Sequence, residues 1–223
     1  MDMDQDQFFI NIGRQLGSGG KAVGEIIARR LGVKLYDKQL INLAAEQSGI
    51  CPEVFEKADE KESRSVLSTL IGYLRAPFAG DDGGLTDVLS SEALFKIQSD
   101  VIRDVAARES CVFVGRCADY ILRDRPRVLN VFIASGRAER RDRLCRLHGI
   151  APAAAEELMD RTDAKRASYY NYFSHGTWGM AATYHLCVDS SVLGVEGTAD
   201  FVLEYAARKL GVKPAEEQLR KRL

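Results

Sequence analysis

The stretch from Phe8 to Leu31, FFINIGRQLGSGGKAVGEIIARRL, constrains this chain more than any other. Phe8, Phe9, Ile10 and Ile12 form a short apolar run that reads as a buried strand. A loop with Gly13, Gly17, Gly19 and Gly20 follows, and then Ala22, Val23, Ile26, Ile27 and Leu31 recur at helical spacing. Strand, glycine loop and helix, in that order, is the context in which a backbone grips phosphate. Glycines let successive N–H groups turn onto one anion with no side chain in the way. The helix N-terminus adds about half a positive charge at the same spot. Lys21, at the start of the helix, adds a full one.

The loop departs from the usual G-x-x-x-x-G-K-[ST] pattern. If Gly17 and Gly19 lie on the inner glycines of such a loop, Arg14 takes the place of its first glycine. Gly20 then replaces the lysine, and Lys21 replaces the serine or threonine. If Lys21 is instead the phosphate lysine, one residue is inserted and Ala22 replaces the metal-binding hydroxyl. Either way one chemical group is missing. The residues expected around the bound phosphates are Arg14, Gly17, Ser18, Gly19, Gly20, Lys21 and Ala22.

A chain of 223 residues suggests one sizeable α/β domain, with or without an inserted piece. Its 46% hydrophobic and 28% charged content is that of a globular protein. A formal net charge of −1 does not favour nucleic acid or an anionic membrane. No apolar run approaches the roughly 20 residues of a membrane span, and MDMDQDQ lacks the character of a secretory signal. The cysteines Cys51, Cys111, Cys117, Cys145 and Cys187 are scattered and include no C-x-x-C pair. They suggest neither a disulfide framework nor a zinc site, and a cytoplasmic protein with reduced thiols is expected.

Along the chain, Gly32 stops the first helix, and Val33 to Tyr36 reads as a second strand. Asp37 follows it, either to cap a helix from Lys38 to Gln47 or to face a ligand at the rim of the sheet. From Pro52 to Arg108 the pattern is helical, broken around Pro77 to Gly84 by an acidic, glycine-rich loop with Asp81 and Asp82. A long helix ends near Glu109. Cys111 to Val114 reads as a strand buried on both faces. It runs into Gly115-Arg116, where an arginine fork suits a phosphate as well as a structural salt bridge. Ala118 to Leu122 is a short helix and Val128 to Ile133 a fourth strand. Ser135 to His148 carries Arg137, Arg140, Arg141, Arg143 and Arg146, either a solvated face or groups reaching phosphate oxygens. Gly149 to Pro152 joins it to a helix from Ala153 to about Phe173, making an αα-hairpin of the kind that closes as a lid. In the second helix Asp163 and Arg166 share a face at i, i+3. His175 reads as a surface residue in a loop. Tyr184 to Val188 is the last strand, Val192 to Leu210 a closing helix, and Lys213 to Leu223 a charged tail.

The run GRQLGSGGKAVGEIIARRLGVKLYDKQLI, with the later blocks VFVGRCADYIL, DRTDAKRASYYNYFSHGTWG and YHLCVDSSVLGVEG, resembles the cytidylate-kinase-like family. The likeness spans roughly Phe8 to Leu210. It implies a single α/β domain with a three-layer P-loop kinase fold built on a five-stranded parallel sheet. The core would comprise residues 8–50, 110–150 and 183–212, with a helical substrate-binding insert at about 52–108 and a lid at about 150–180. It also implies transfer of the ATP γ-phosphoryl to CMP or dCMP with Mg2+. The expected partners are nucleotide substrates, with no nucleic acid and no membrane, in a monomer or homodimer.

What the resemblance implies for the site follows residue by residue. Asp37 matches an acidic residue that contacts the acceptor nucleotide. Arg116 matches the arginine of a G-R-D segment that holds the acceptor phosphate, but Cys117 replaces its aspartate. Asp163 and Arg166 match the aspartate–arginine spacing of the lid, with Arg161 nearby. Lys21, Arg116, Arg161 and Arg166 are thus the expected catalytic cations, and Asp37, Arg116 and Asp163 the expected acceptor contacts. No protein metal ligand is expected. The departures leave open a different small acceptor, or a nucleotide-binding regulatory protein with little turnover.

Overall fold

The computed structural model describes residues 7–37 and 85–213. The expected helix at 38–47, the helical segments and acidic loop at 52–84, Cys51 and the tail beyond 213 lie outside the described residues. Within them, five strands form one sheet: β1 (Phe9–Arg14), β2 (Lys34–Tyr36), β3 (Cys111–Val114), β4 (Val128–Ala134) and β5 (Leu186–Asp189). Their order is β2-β3-β1-β4-β5, and every neighbouring pair is parallel. The six α-helices among the described residues are α1 (Gly20–Leu31), α2 (Leu85–Arg108), α3 (Ala118–Ile121), α4 (Arg137–His148), α5 (Pro152–Ser174) and α6 (Ser190–Leu210).

Two apolar faces follow from strand alternation. Ile10 and Ile12 of β1 point to the side of Val112, Val114, Leu129, Val131 and Ile133. There they pack on Val23 and Ile27 of α1 and on Ala199, Val202 and Ala206 of α6. Phe9, Cys111 and Phe113 point the other way, onto Val101, Ile102 and Val105 of α2 and Ala118 and Ile121 of α3. Helices on both faces leave a sheet buried on both sides, which is why β3 reads as an unbroken apolar run. Each fully buried Val, Ile or Phe contributes about 1.5–3 kcal/mol by leaving water. With β1 in the centre of the sheet, the loop that leaves it emerges at the middle of the C-terminal rim.

Two boundaries differ from the sequence pattern. β5 starts at Leu186, because Ala181–Thr183 forms a 3-10 turn and the ring of Tyr184 packs on Phe132 at 5.0 Å. The closing helix starts at Ser190, where the Asp189 carboxylate accepts from the Ser191 amide at 2.8 Å. Gly194 interrupts it with φ 66° and ψ −177°. The αα-hairpin forms as expected, from α4, the turn at Gly149 and α5 with Pro152 in its first turn.

Candidate active site

The loop between β1 and α1 is held open by its neighbours. Gly17 and Gly19 both have φ 79°, a left-handed backbone that disfavours any other residue. Gly19 precedes α1, and the Val23 amide closes the first helical turn on the Gly19 carbonyl at 3.0 Å. The Gly20 amide donates to Ser18 Oγ at 3.4 Å, while the Lys21 and Ala22 amides have no partner within the helix and are available to an anion. Ser18 is fully buried and bonded within the protein. Its hydroxyl donates to the Gln15 carbonyl at 2.9 Å, and its own carbonyl accepts from Ser190 Oγ at 2.6 Å. The Ser18 side chain thus supports the loop backbone.

The hairpin grips the same loop from outside. Arg140 Nε donates to the Leu16 carbonyl at 2.7 Å, and Arg143 Nη1 to the Gly17 carbonyl at 2.6 Å. Asp163 Oδ1 accepts from the Leu16 amide at 2.8 Å, while its other oxygen pairs with Arg140. Arg166 Nη1 donates to the Arg14 carbonyl at 3.1 Å and lies 3.7 Å from Asp163 Oδ1. Arg140 and Arg143, read from sequence only as members of a dense basic helix, are the arginines that touch the loop. Arg161 is exposed on α5, and the described contacts do not bring it to this cluster. Asp163, expected to contact the acceptor, has both oxygens engaged by the protein.

Cations converge on the rim beside the loop. Lys21 Nζ lies 2.7 Å from Asp37 Oδ2, with the lysine side chain 55% exposed and the aspartate 12%. Arg14 ends β1 and runs between α1 and the turn after β3. A Cβ on Gly115 would stand 2.1 Å from Arg14 Nη1. Burial, then Arg166 and Arg116, hold the Arg14 guanidinium down to about 9, against the pull of Asp37 and Asp163, and it stays protonated at neutral pH. Burial lowers Arg166 too, with Asp163 opposing and Arg116 and Arg140 adding to the shift. Three guanidinium groups, Arg14, Arg116 and Arg166, therefore feel one another here.

Arg116 is presented by a turn of three consecutive left-handed residues: Gly115 (φ 78°), Arg116 (φ 60°) and Cys117 (φ 54°). Each non-glycine residue in that region costs roughly 1–2 kcal/mol, so surrounding contacts must hold the turn. The Arg116 guanidinium carbon lies 5.6 Å from the centre of the Tyr169 ring, and Tyr169 donates to Gln98 Oε1 at 3.2 Å. Three residues after Arg116, Asp119 accepts from the Tyr170 hydroxyl at 2.5 Å. Burial raises the Asp119 carboxyl above its ordinary range despite that bond. Cys117 is buried, and burial followed by the nearby Asp119 pushes its thiol up to about 12. Burial keeps the Cys117 thiol from acting as a nucleophile, and the Asp119–Tyr170 bond ties α5 to the turn that carries Arg116.

Gly115→Ala tests this packing. Its Cβ would occupy the space of the Arg14 guanidinium and strain a left-handed backbone. The expected result is a loss of about 1–3 kcal/mol in urea unfolding together with lower turnover. Wild-type values for both would show that Arg14 does not need this gap.

A five-stranded parallel sheet in this strand order, with a glycine loop leading from its central strand into a helix, defines a P-loop kinase fold. The chain belongs to the cytidylate kinase-like family, whose model matches residues 9–192. A crystal structure of an uncharacterized protein from Eubacterium ventriosum ATCC 27560 is similar over 90% of this chain and 98% of that one, at 25% identity and a TM-score of 0.66. Shikimate kinase from Bacteroides thetaiotaomicron shares the fold over 89% of this chain and 97% of its own, at 14% identity and a TM-score of 0.50. No curated protein matches the chain. Among the described residues, no helix is long and apolar enough to cross a membrane. Among the same residues, no group of three His, Cys, Asp or Glu side chains comes together as a metal site.

Proposed function

We propose that this protein transfers the γ-phosphoryl group of ATP to a nucleoside monophosphate, CMP or dCMP. The observation that carries the proposal is the convergence of Lys21, Arg116 and Arg166 beside a glycine loop at the centre of the sheet rim. Phosphoryl transfer asks little covalent work of a protein. It asks for in-line placement and for positive charge around the moving group.

The amides of Gly17 to Lys21 receive the β-phosphate of the donor. Lys21 leaves Asp37 for the phosphate oxygens as the nucleotide enters. Arg116, on its left-handed turn, holds the acceptor phosphate, and Arg166 reaches the reacting oxygens from α5. An oxygen of the acceptor phosphate bonds to the γ-phosphorus, the bond to the β,γ-bridging oxygen breaks, and its electron pair leaves on ADP. The donor loop and Lys21 suit ATP. Ala22 has no hydroxyl for a metal, so Mg2+, which would supply charge neutralisation when bound, would be held by the triphosphate, and Asp37 would contact the acceptor or a magnesium-bound water.

The test is ADP release in a coupled assay with ATP and Mg2+, offering CMP, dCMP, UMP, AMP and GMP one at a time. A strong rate with CMP or dCMP is expected. A second reading, a different small acceptor, is favoured by Cys117, a buried thiol where the family pattern has an aspartate. ATP binding with no rate on any of the five nucleotides would replace the first reading with that one, or with a sensor.

A further inference from the structure

We propose that Arg14 is a catalytic residue, forming with Arg116 and Arg166 one cationic pocket that receives the phosphoryl group in transfer. This rests on the phosphotransferase reading above and adds a residue to it. The argument starts from position. Arg14 stands where a phosphate loop ordinarily begins, at the end of the central strand. Its side chain is half-buried. It crosses beneath the start of α1, where a Cβ on Gly20 would stand 2.5 Å from Arg14 Cβ. It ends against Gly115, where only the missing Cβ leaves room for its guanidinium. That path carries the charge from the donor loop to the turn that presents Arg116.

The company it keeps supports the same role. Arg14 is influenced by four charged groups at this rim: Arg166 and Asp163 from α5, Arg116 after β3 and Asp37 after β2. The acids are already engaged, Asp37 by Lys21 and Asp163 by Arg140 and the Leu16 amide. The Arg14 carbonyl, meanwhile, accepts from Arg166, so the backbone of one arginine fixes the head of another. Burying a guanidinium beside two others is unfavourable unless an anion joins them. A phosphoryl group in flight spreads negative charge over three equatorial oxygens, and a planar, always charged fork fits that shape. With Ala22 lacking a metal-binding hydroxyl, a fixed guanidinium here supplies charge from the protein side, alongside the Mg2+ that enters with the nucleotide.

The experiment compares wild type, Arg14→Lys and Arg14→Met in three measurements. ATP binding by calorimetry is expected to change little, because the loop amides and Lys21 hold the donor. Turnover with the best acceptor is expected to fall roughly a hundredfold or more in Arg14→Met, with KM for both substrates nearly unchanged. Binding of ADP with aluminium fluoride and CMP, which mimics the group in flight, is expected to weaken by a similar factor, with Arg14→Lys intermediate. Thermal unfolding shows whether each variant is folded, and Arg14→Lys keeps the test open if Arg14→Met is not. Unchanged turnover in the folded variants, or a loss confined to KM for ATP, would overturn the role. If the wild type transfers phosphoryl to no acceptor, the functional reading fails. The aluminium fluoride complex still decides on Arg14: equal binding in wild type and variants rejects the pocket, and weakened binding supports it.

Discussion

Lys21→Ala is expected to lower phosphoryl transfer by about 10²–10³-fold while the protein stays folded. The two halves of that result have separate causes. Lys21 is half-exposed, and its described contact is the 2.7 Å pair with Asp37. The lysine end of that pair is open to water while Asp37 is largely buried, so its loss costs less than breaking a pair buried at both ends. Its place in the first turn of α1, beside amides without helical partners, gives it far more leverage on a bound triphosphate. Arg166→Ala is expected to lower turnover by orders of magnitude too. Side-by-side turnover and urea unfolding are the check, and full turnover in both variants would remove these residues from the mechanism.

Asp163→Ala is expected to give the largest loss of stability at the site, about 3–5 kcal/mol in urea unfolding, with activity lost alongside. Asp163 and Arg140 are both largely buried, at 15% and 8% side-chain exposure. Removing the carboxylate strands the Arg140 charge and leaves the Leu16 amide without its acceptor. Breaking a buried pair from one side is costly because the remaining charge keeps its desolvation penalty. Asp163→Asn retains an acceptor for the amide and should fall between wild type and alanine. Combining Asp163→Ala with Arg140→Ala should cost less than the sum of the two single changes, since each removes the same pair. Additive losses would mean that the pair does not clamp the loop.

That clamp was only half legible in the chain. The i, i+3 spacing puts Asp163 and Arg166 on one face, and they lie 3.7 Å apart. The closer partners of Asp163 are the Leu16 amide, 147 positions away, and Arg140 on the facing helix. Local periodicity carries no information on contacts at that separation. For the same reason Arg140 and Arg143 were indistinguishable from Arg137 and Arg141. The structure sends the first two to loop carbonyls and the latter two to Glu156, with Arg137 also on Asp160. Arg161 was expected in the cluster from proximity in sequence to Asp163, but the turn of α5 leaves it exposed.

What the sequence by itself determined is the unit from Phe9 to Leu31, the buried strands and the hairpin. Each is written in short-range terms: alternation, helical spacing, and glycine where the backbone turns left-handed. Lys21, Arg116 and Arg166 were marked the same way, by position at the ends of elements or by a family pattern. What only the tertiary structure decided is which charges meet. The left-handed turn at Gly115 to Cys117, the gap that admits Arg14 and the grip of α4 and α5 on the loop all join residues from distant parts of the chain. Burial and packing choose among otherwise equal arginines there, because desolvating a guanidinium is tolerable only where a carbonyl, a carboxylate or an incoming phosphate answers its charge.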